Sequence, residues 1–140
     1  MKKKVIYIAG PITGVPRYWE AFESADDVLT SLGYIVLTPS RLPEGLSAEQ
    51  YARIDFAMID SADAVVLLPG SKESKGARLE RSYCDYIGKP WTYYPATLLG
   101  ANKRASTELD ALSLRLGVLT NGRTDNADNM RDGALAVADK

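Results

Sequence analysis

The sequence predicts an α/β fold, in which a single domain is built on a parallel sheet of four to five strands with helices on both faces. Short apolar runs alternate with segments of helical periodicity, as in sheets whose parallel strands are joined by crossover helices. The apolar runs are continuous, which is typical of strands buried on both faces. The length of 140 residues is that of one domain with a sizeable core.

The first half of the chain supplies two strands and two helices. Residues 5–9 (VIYIA) and 34–37 (YIVL) are the apolar runs that predict the strands. Residues 17–33 have helical periodicity and end in a glycine, which is a common C-terminal stop. Residues 47–61 begin with a serine followed three residues later by a glutamine, and this spacing predicts a capping box at the start of a helix.

The second half continues the alternation. Residues 63–68 (DAVVLL) predict a third strand, which ends at a Pro-Gly turn, and residues 76–88 predict a helix bounded by glycines. Residues 91–94 (WTYY) predict a fourth strand, and residues 106–116 have weak helical periodicity. The expected arrangement is flavodoxin-like or Rossmann-like, since strands and crossover helices alternate throughout.

Two regions are expected in the chain. The α/β domain spans residues 1–118, and residues 119–140 form a polar tail rich in Asn, Asp and Gly. We expect this tail to be mobile or to lie at an oligomer interface.

The residue inventory narrows the chemistry. The chain has no histidine and one cysteine, Cys84, which excludes histidine triads, thiolate zinc sites and an internal disulfide. An all-carboxylate magnesium site stays formally open, but we predict no metal and no cofactor. Catalysis would therefore depend on Asp, Glu, Tyr, Lys or Cys84. The net charge of −1 argues against a nucleic-acid polymer as partner, and no apolar run is long enough for a signal peptide or a membrane span. A cytoplasmic location is expected.

Two carboxylates stand at positions where helical periodicity calls for apolar residues. Glu80 lies in a stripe of small and apolar side chains, and Asp55 has apolar or aromatic residues at most of its i±3 and i±4 positions. The usual role of one such carboxylate is an ion pair, here with Arg78 or Arg53. Because both helices flank the third strand, the two acids are expected to meet beside its carboxyl end, which favours an active site. Tyr7 is expected nearby, with a hydroxyl that needs a partner if it is buried.

Ligands of parallel sheets bind beyond the carboxyl ends of the strands, near the point where the strand order reverses. The turn GPITG at residues 10–14 can present backbone N–H groups to an anion or to hydroxyls, and a serine at a helix start suits a phosphate. The alternatives are a plain turn and an ordinary N-cap. No dinucleotide or P-loop fingerprint is present. The candidate substrate-binding residues are Gly10, Pro11, Ile12, Thr13, Gly14, Gly70, Ser74 and Gly76.

Taken together, these segments resemble a known family. YIAGPITG, LGYIVLTP, D-x7-D-A-V-V-x-L, S-x-G-A-x-x-E and GKP are similar to the pattern of the nucleoside 2-deoxyribosyltransferase superfamily, with matching segments over about residues 4–94. The chain most resembles a small phage- and prophage-associated branch of unknown function, related to the 2′-deoxynucleoside 5′-phosphate N-hydrolases. The resemblance implies that Glu80 is the nucleophile, that Asp55 is the acid/base carboxylate and that Tyr7 is the tyrosine beside the nucleophile.

The resemblance also implies a phosphate site and an assembly. Ser74 and Gly76 match the phosphate-contacting serine and the helix-opening glycine of the N-hydrolase branch. That branch has an arginine where this chain has Thr13, and family members typically carry a small residue where this chain has Arg81. A requirement for a 5′-phosphate is therefore left open. Family members form homodimers or higher homo-oligomers in which a C-terminal asparagine often enters the neighbouring site. The candidates here are Asn121, Asn126 and Asn129.

The expected function is cleavage or transfer of the N-glycosidic bond of a (deoxy)nucleoside or nucleoside 5′-monophosphate. The reaction would pass through a covalent glycosyl intermediate on Glu80, with Asp55 protonated and Glu80 ionised before it starts. An alternative is a non-catalytic nucleotide- or nucleotide-sugar-sensing module, in which Arg81 neutralises Glu80 in the same pocket. A structural or partner-binding protein is a third possibility. The preferred base and sugar, and the choice between hydrolysis and transfer, are left open.

Overall fold

The computed structural model describes residues 2–99 and 106–122 and has an α/β fold. Short 3-10 helices lie at Pro39–Arg41, Ser71–Glu73 and Ala96–Leu98, and a π-helical turn follows the last helix at Val118–Gly122. The strands and longer helices are β1 (Val5–Ala9), α1 (Trp19–Ser31), β2 (Ile35–Leu37), α2 (Ala48–Ser61), β3 (Ala64–Leu67), α3 (Lys75–Ile87), β4 (Trp91–Tyr93) and α4 (Ser106–Gly117).

The four strands form one sheet in the order β2-β1-β3-β4, and every neighbouring pair is parallel. The register places Tyr7 of β1 between Leu37 of β2 and Val65 of β3. Strand order reverses between β1 and β3, because the chain first moves outward to β2 and then returns to the other side of β1. The carboxyl ends of these two strands therefore define the point at which a parallel sheet binds its ligands. The predicted fold class is confirmed.

Helices cover both faces of the sheet. On the first face, Ile6 and Ile8 pack with buried side chains of α1 and α4. On the second face, Tyr7 and Ala9 pack with Ile59 of α2 and with a buried residue of α3. Alternate residues of β1 thus belong to different clusters, as the two-residue period of a strand requires. The second face is the one that carries the candidate site.

The capping box predicted at the start of α2 is present. The Ser47 hydroxyl accepts a hydrogen bond from the backbone N–H of Gln50 at 3.1 Å. The Gln50 side chain accepts one in return from the backbone N–H of Ser47 at 2.9 Å. Two otherwise unpaired N–H groups are satisfied in this way, which fixes where the helix that carries Asp55 begins.

The loops after β1 and β3 pack closely at the reversal point. A Cβ added at Gly10 would lie 2.9 Å from Leu68 and 3.0 Å from Phe22, so the chain passes here only because residue 10 has no side chain. Gly70 has a φ of 90°, and its own added Cβ would lie 3.2 Å from Pro11. Glycine is the residue that tolerates both the close approach and the left-handed backbone.

The C-terminal region departs from the predicted division at residue 118. The turn Val118–Gly122 continues from α4, and Thr120 is 2% exposed, with its hydroxyl donating to the Leu116 carbonyl at 2.7 Å. The rest of the predicted tail, residues 123–140, lies outside the described residues. Among residues 2–99 and 106–122, no helix combines the length and the apolar character needed to cross a membrane.

Candidate active site

The structure brings Tyr7, Asp55 and Glu80 together beneath the reversal point on the second face of the sheet. Tyr7 comes from β1, Asp55 from α2 and Glu80 from α3. The Tyr7 hydroxyl lies 3.1 Å from Oε1 and 3.2 Å from Oε2 of Glu80, so it donates a hydrogen bond shared by both carboxylate oxygens. Tyr7 and Glu80 are 73 positions apart in the sequence, and their side chains meet on the second face of the sheet.

Burial controls the electrostatics of the tyrosine. Tyr7 is fully buried. Burial, followed by the charges of Glu80 and Asp55, raises the pKa of the Tyr7 hydroxyl well above its usual value. The phenol therefore keeps its proton at neutral pH and can act as a hydrogen-bond donor to Glu80.

Glu80 has a strongly perturbed pKa. Glu80 is 8% exposed, and the pKa of its carboxyl is raised to about 9. Burial is the largest cause, followed by the charge of Asp55 and a hydrogen-bonding interaction with that residue, whereas the hydrogen bond from Tyr7 acts in the opposite direction. Two carboxyl groups so close together cannot both ionise at neutral pH, so the pair holds one proton.

Asp55 completes the pair from α2. It is half-buried, and burial raises its pKa, whereas the hydrogen bond with Glu80 lowers it. Its Oδ1 atom is buried, and no N–H or hydroxyl donor of the described residues reaches it. A proton held between the two carboxyl groups supplies a hydrogen bond that the rest of the site does not provide.

The sequence-based expectation about this pair is right for Asp55, whose pKa is raised, and wrong for Glu80, whose pKa is raised as well. Glu80 was expected to be ionised and Asp55 to hold the proton, because Glu80 lies in the early turns of α3 and beside Tyr7. In the free protein the shared proton lies nearer Glu80, since Glu80 is the more deeply buried carboxyl and the hydrogen bond between them acts to raise its pKa and to lower that of Asp55. The sequence contains no signal for the relative depth of the two groups.

The buried face of α3 explains how Glu80 reaches the site. Ala77, Glu80 and Cys84 are its buried residues, and they follow one another at helical spacing. Cys84 is fully buried, and burial, followed by the charge of Glu80, raises the pKa of its thiol to about 12. A thiol in this state is not a nucleophile at neutral pH, as expected of an apolar packing residue.

The ion pairs considered as an ordinary explanation for these acids are not formed. Arg53 pairs with Glu49 on the surface of α2. Among residues 2–99 and 106–122, no arginine or lysine forms a salt bridge with Glu80 or Asp55. Arg81 stacks over the Trp91 ring, 5.7 Å from its centroid. The pairing of Arg81 with Glu80 that the sensing alternative assumed is therefore absent from the described part of the chain.

The candidate substrate-binding residues differ in exposure. Gly10 is buried in the close packing of the two loops, and Ile12 packs against the hydrophobic cluster of the first face. Thr13 and Gly14 are exposed, and Gly14 has a φ of 76° in the turn closed by the hydrogen bond from Val15 to the Ile12 carbonyl. Pro11 is half-buried, and Gly70 is exposed at the adjacent loop.

The start of α3 has the form of an ordinary N-cap. The Ser74 hydroxyl accepts a hydrogen bond from the backbone N–H of Ala77 at 3.2 Å. Gly76 is exposed, and a Cβ added there would meet nothing within 4 Å. Of the candidate asparagines, Asn121 is exposed, whereas Asn126 and Asn129 lie outside the described residues.

The sequence analysis did not predict a small notch between α3 and β4. Its lining includes Ser71, Lys72, Arg78, Arg81 and Tyr93. The spacing of the two arginines, three residues apart on one helix, was the available signal. It was missed because a pattern of charges on a helix usually indicates only a solvated face.

These features define an α/β protein with a coupled carboxyl pair at the reversal point of its sheet, in which a buried tyrosine donates a hydrogen bond to the more deeply buried member. The chain belongs to the family described as a domain of unknown function, DUF4406, which matches residues 4–93.

Among solved structures, the chain is similar to a 2-deoxyribosyltransferase from the psychrotolerant bacterium Bacillus psychrosaccharolyticus. The two are 22% identical, with a TM-score of 0.50, and the match covers 64% of this chain and 70% of that chain. At this identity the similarity shows a shared fold, which confirms the fold that the sequence resemblance implied. A search of curated proteins found no match.

Proposed function

We propose that the protein cleaves or transfers the N-glycosidic bond of a (deoxy)nucleoside or nucleoside 5′-monophosphate. The observation that carries this proposal is a pair of electrostatically coupled carboxyl groups, the buried Glu80 and the half-buried Asp55, in which Tyr7 donates a hydrogen bond to Glu80. A retaining reaction at a sugar needs a nucleophilic carboxylate and a proton-donating carboxyl group, and therefore one proton for the pair. The 2-deoxyribosyltransferase that shares this fold supports the same class of chemistry.

The first step forms a bond between a Glu80 carboxylate oxygen and C1′ of the sugar. The C1′–N bond breaks, its electron pair leaves with the base, and Asp55 transfers its proton to that base. In the second step, water or a second base attacks C1′ and breaks the Glu80–sugar ester. Asp55 takes the proton that this nucleophile releases, so both carboxyl groups return to their starting states.

The proton must cross from Glu80 to Asp55 before the nucleophile can attack. The hydrogen bond between the two groups provides the route, and the Tyr7 hydroxyl favours the carboxylate form of Glu80 by donating to it. A substrate that covers the pair and presents a basic leaving group would draw the proton towards Asp55. Tyr7 is therefore a positioning and charge-stabilising residue for the nucleophile.

The closeness of the carboxyl groups supports a retaining route. Inverting glycosidases keep their carboxyl groups roughly 6.5–9.5 Å apart to admit a water molecule, whereas retaining ones bring them to about 5 Å. Each of the two carboxyl groups affects the pKa of the other, so Glu80 and Asp55 are near neighbours in the free protein. Their proximity favours a covalent intermediate on Glu80.

The finer assignments belong to the same proposal. They are the relation to the phage-associated and N-hydrolase branches, a homodimeric or larger assembly, and a cytoplasmic location.

Exposed Thr13 and Gly14 lie in the loop next to the reversal point and are proposed to contact the substrate, as is the exposed Gly70. Ser74 and Gly76 are proposed to contact it from the open start of α3.

Incubation with a panel of nucleosides and their 5′-monophosphates, with released base measured by chromatography, tests the proposal. Wild-type protein and Glu23→Gln, an exposed substitution on α1 and so on the other face of the sheet, are expected to release base. Glu80→Ala is expected to abolish release, and Asp55→Asn to slow it most for poor leaving bases. Full activity of Glu80→Ala would refute the assignment of the nucleophile. A ligand-dependent thermal shift without release of base would instead support the sensing alternative.

A further inference from the structure

A small notch lies between α3 and the outer strand β4. It is a shallow, solvent-open depression with a cavity volume of about 10 Å³. Lys72, Arg78 and Arg81 contribute positive charge to its lining, beside the Ser71 side chain and the ring of Tyr93. These three cations are grouped together although the chain as a whole has a net charge of −1.

Aromatic rings of β4 hold two of these cations in place. Lys72 Nζ lies over the Tyr93 ring at 5.2 Å from its centroid, and the Arg81 guanidinium lies over Trp91 at 5.7 Å. The two rings also contact each other edge to face, with centroids 5.2 Å apart. Cation–π contacts orient a side chain without neutralising its charge, so both groups are arranged in advance for an anion.

The described residues do not neutralise this charge. None of the ion pairs formed by the described residues involves Lys72, Arg78 or Arg81. Asp85 stands one helical turn after Arg81, where it could pair with the guanidinium, but it accepts a hydrogen bond from the Trp91 indole at 2.8 Å instead. The cations of the notch therefore repel one another with no carboxylate bonded to them within the part of the chain that the structure describes.

One donor of Arg81, a residue that lines the notch, is buried and unsatisfied. The Nε atom of Arg81 has no hydrogen-bond acceptor among the described residues. A buried N–H without an acceptor is unfavourable, and more so on a charged group. An oxyanion bound in the notch would offset the repulsion between the cations. Arginine is the side chain best shaped for such an anion, because its N–H groups match the spacing of phosphate oxygens.

We propose that this notch binds a phosphoryl group. The group is either the 5′-phosphate of the substrate or a separate phosphate compound. Ala77 lines the notch one helical turn before Glu80, and Arg81 directly follows Glu80, so the notch is next to the carboxylate pair along α3. Binding of the substrate's own phosphate rests on the proposed function, whereas binding of a separate phosphate does not.

Calorimetric titration of the full chain with inorganic phosphate, at constant ionic strength, tests the notch without any catalytic step. Arg78→Gln is expected to weaken binding about tenfold, as befits the loss of one charge-assisted hydrogen bond. Lys72→Gln is expected to weaken binding in the same direction. Arg81→Lys keeps the positive charge but removes the planar set of N–H groups of the guanidinium, so it tests whether binding needs that geometry. Arg53→Gln, an exposed substitution on α2, is the matched control and should bind as the wild type does.

The proposal is overturned if wild-type protein binds no phosphate, or if Arg78→Gln and Lys72→Gln both bind it normally. It is also overturned if Lys75→Gln alone weakens binding, because the anion would then lie at the start of α3. A higher KM for nucleoside 5′-monophosphates, with nucleosides unaffected by Arg78→Gln, assigns the notch to the substrate. Unchanged KM values with weakened phosphate binding assign it to a separate compound. Phosphate binding without release of base from any substrate would refute the proposed function and leave the notch supported.

Discussion

Replacing Glu80 with glutamine should change how stability depends on pH. In the folded protein the pKa of Glu80 is raised from 4.5 to about 9, chiefly by burial and then by Asp55. Between these values the folded protein keeps a proton that the unfolded chain has released. The free energy of unfolding therefore falls as pH rises through this window and levels off above the folded pKa. Glu80→Gln keeps the shape of the side chain but removes the titration.

The size of the effect follows from one proton. A difference of one bound proton changes the free energy of unfolding by about 1.4 kcal/mol per pH unit. Between pH 6 and pH 8 the wild type should therefore lose at most about 3 kcal/mol. The range from pH 6 to pH 8 suits this measurement because the chain has no histidine, the side chain that ordinarily titrates in that range. A loss of that size is a large part of the stability of an ordinary domain.

Urea unfolding followed by circular dichroism at several pH values between 6 and 8 measures this dependence. The wild type and Glu23→Gln, which removes an exposed carboxylate on α1, should share the same downward slope. Glu80→Gln should give a nearly flat profile. A flat profile in the wild type, or an unchanged slope in Glu80→Gln, would show that Glu80 does not hold the shared proton.

Four further substitutions test other parts of the structure. Tyr7→Phe removes the shared hydrogen bond to Glu80 and should raise the pKa of that carboxyl further; a pH–rate profile with an unmoved basic limb would contradict this role. Gly10→Ala forces a methyl group into the sheet core and should cost about 1–3 kcal/mol in urea unfolding. Gly76 has open space around it, so Gly76→Ala should leave the free energy of unfolding unchanged. Equal losses of stability from Gly10→Ala and Gly76→Ala would contradict this packing. Ser47→Ala should lower stability by about 1 kcal/mol through loss of the capping box, and unchanged stability would argue against that cap.

Local signals in the sequence were sufficient for the architecture. The continuous apolar runs at residues 5–9 and 64–68 predicted strands buried on both faces, and both strands lie in the centre of the sheet. The serine and glutamine of the capping box predicted the start of α2. These patterns depend on hydrogen bonds and burial over a few residues, so they can be recognised without tertiary information.

The convergence of the site was also predictable, although its electrostatics were not. Acidic residues on the apolar faces of two helices indicated that Asp55 and Glu80 would meet beside β3, and Tyr7 was expected next to them. Their relative burial, which decides where the shared proton lies, depends on how α2 and α3 sit on the sheet. The notch could not be predicted for the same reason. Trp91 and Tyr93 contact the cations only in the tertiary structure, in which β4 pairs with β3.

The central claim is that Glu80 attacks the sugar and carries it between two half-reactions. Rapid quenching of wild-type protein with a cleavable deoxynucleoside or its monophosphate, followed by mass spectrometry of the peptide containing Glu80, measures this directly. We expect a mass increase of one glycosyl group on that peptide, formed together with free base and absent in Glu80→Gln. Release of base while Glu80 stays unmodified at every quench time would contradict the covalent route.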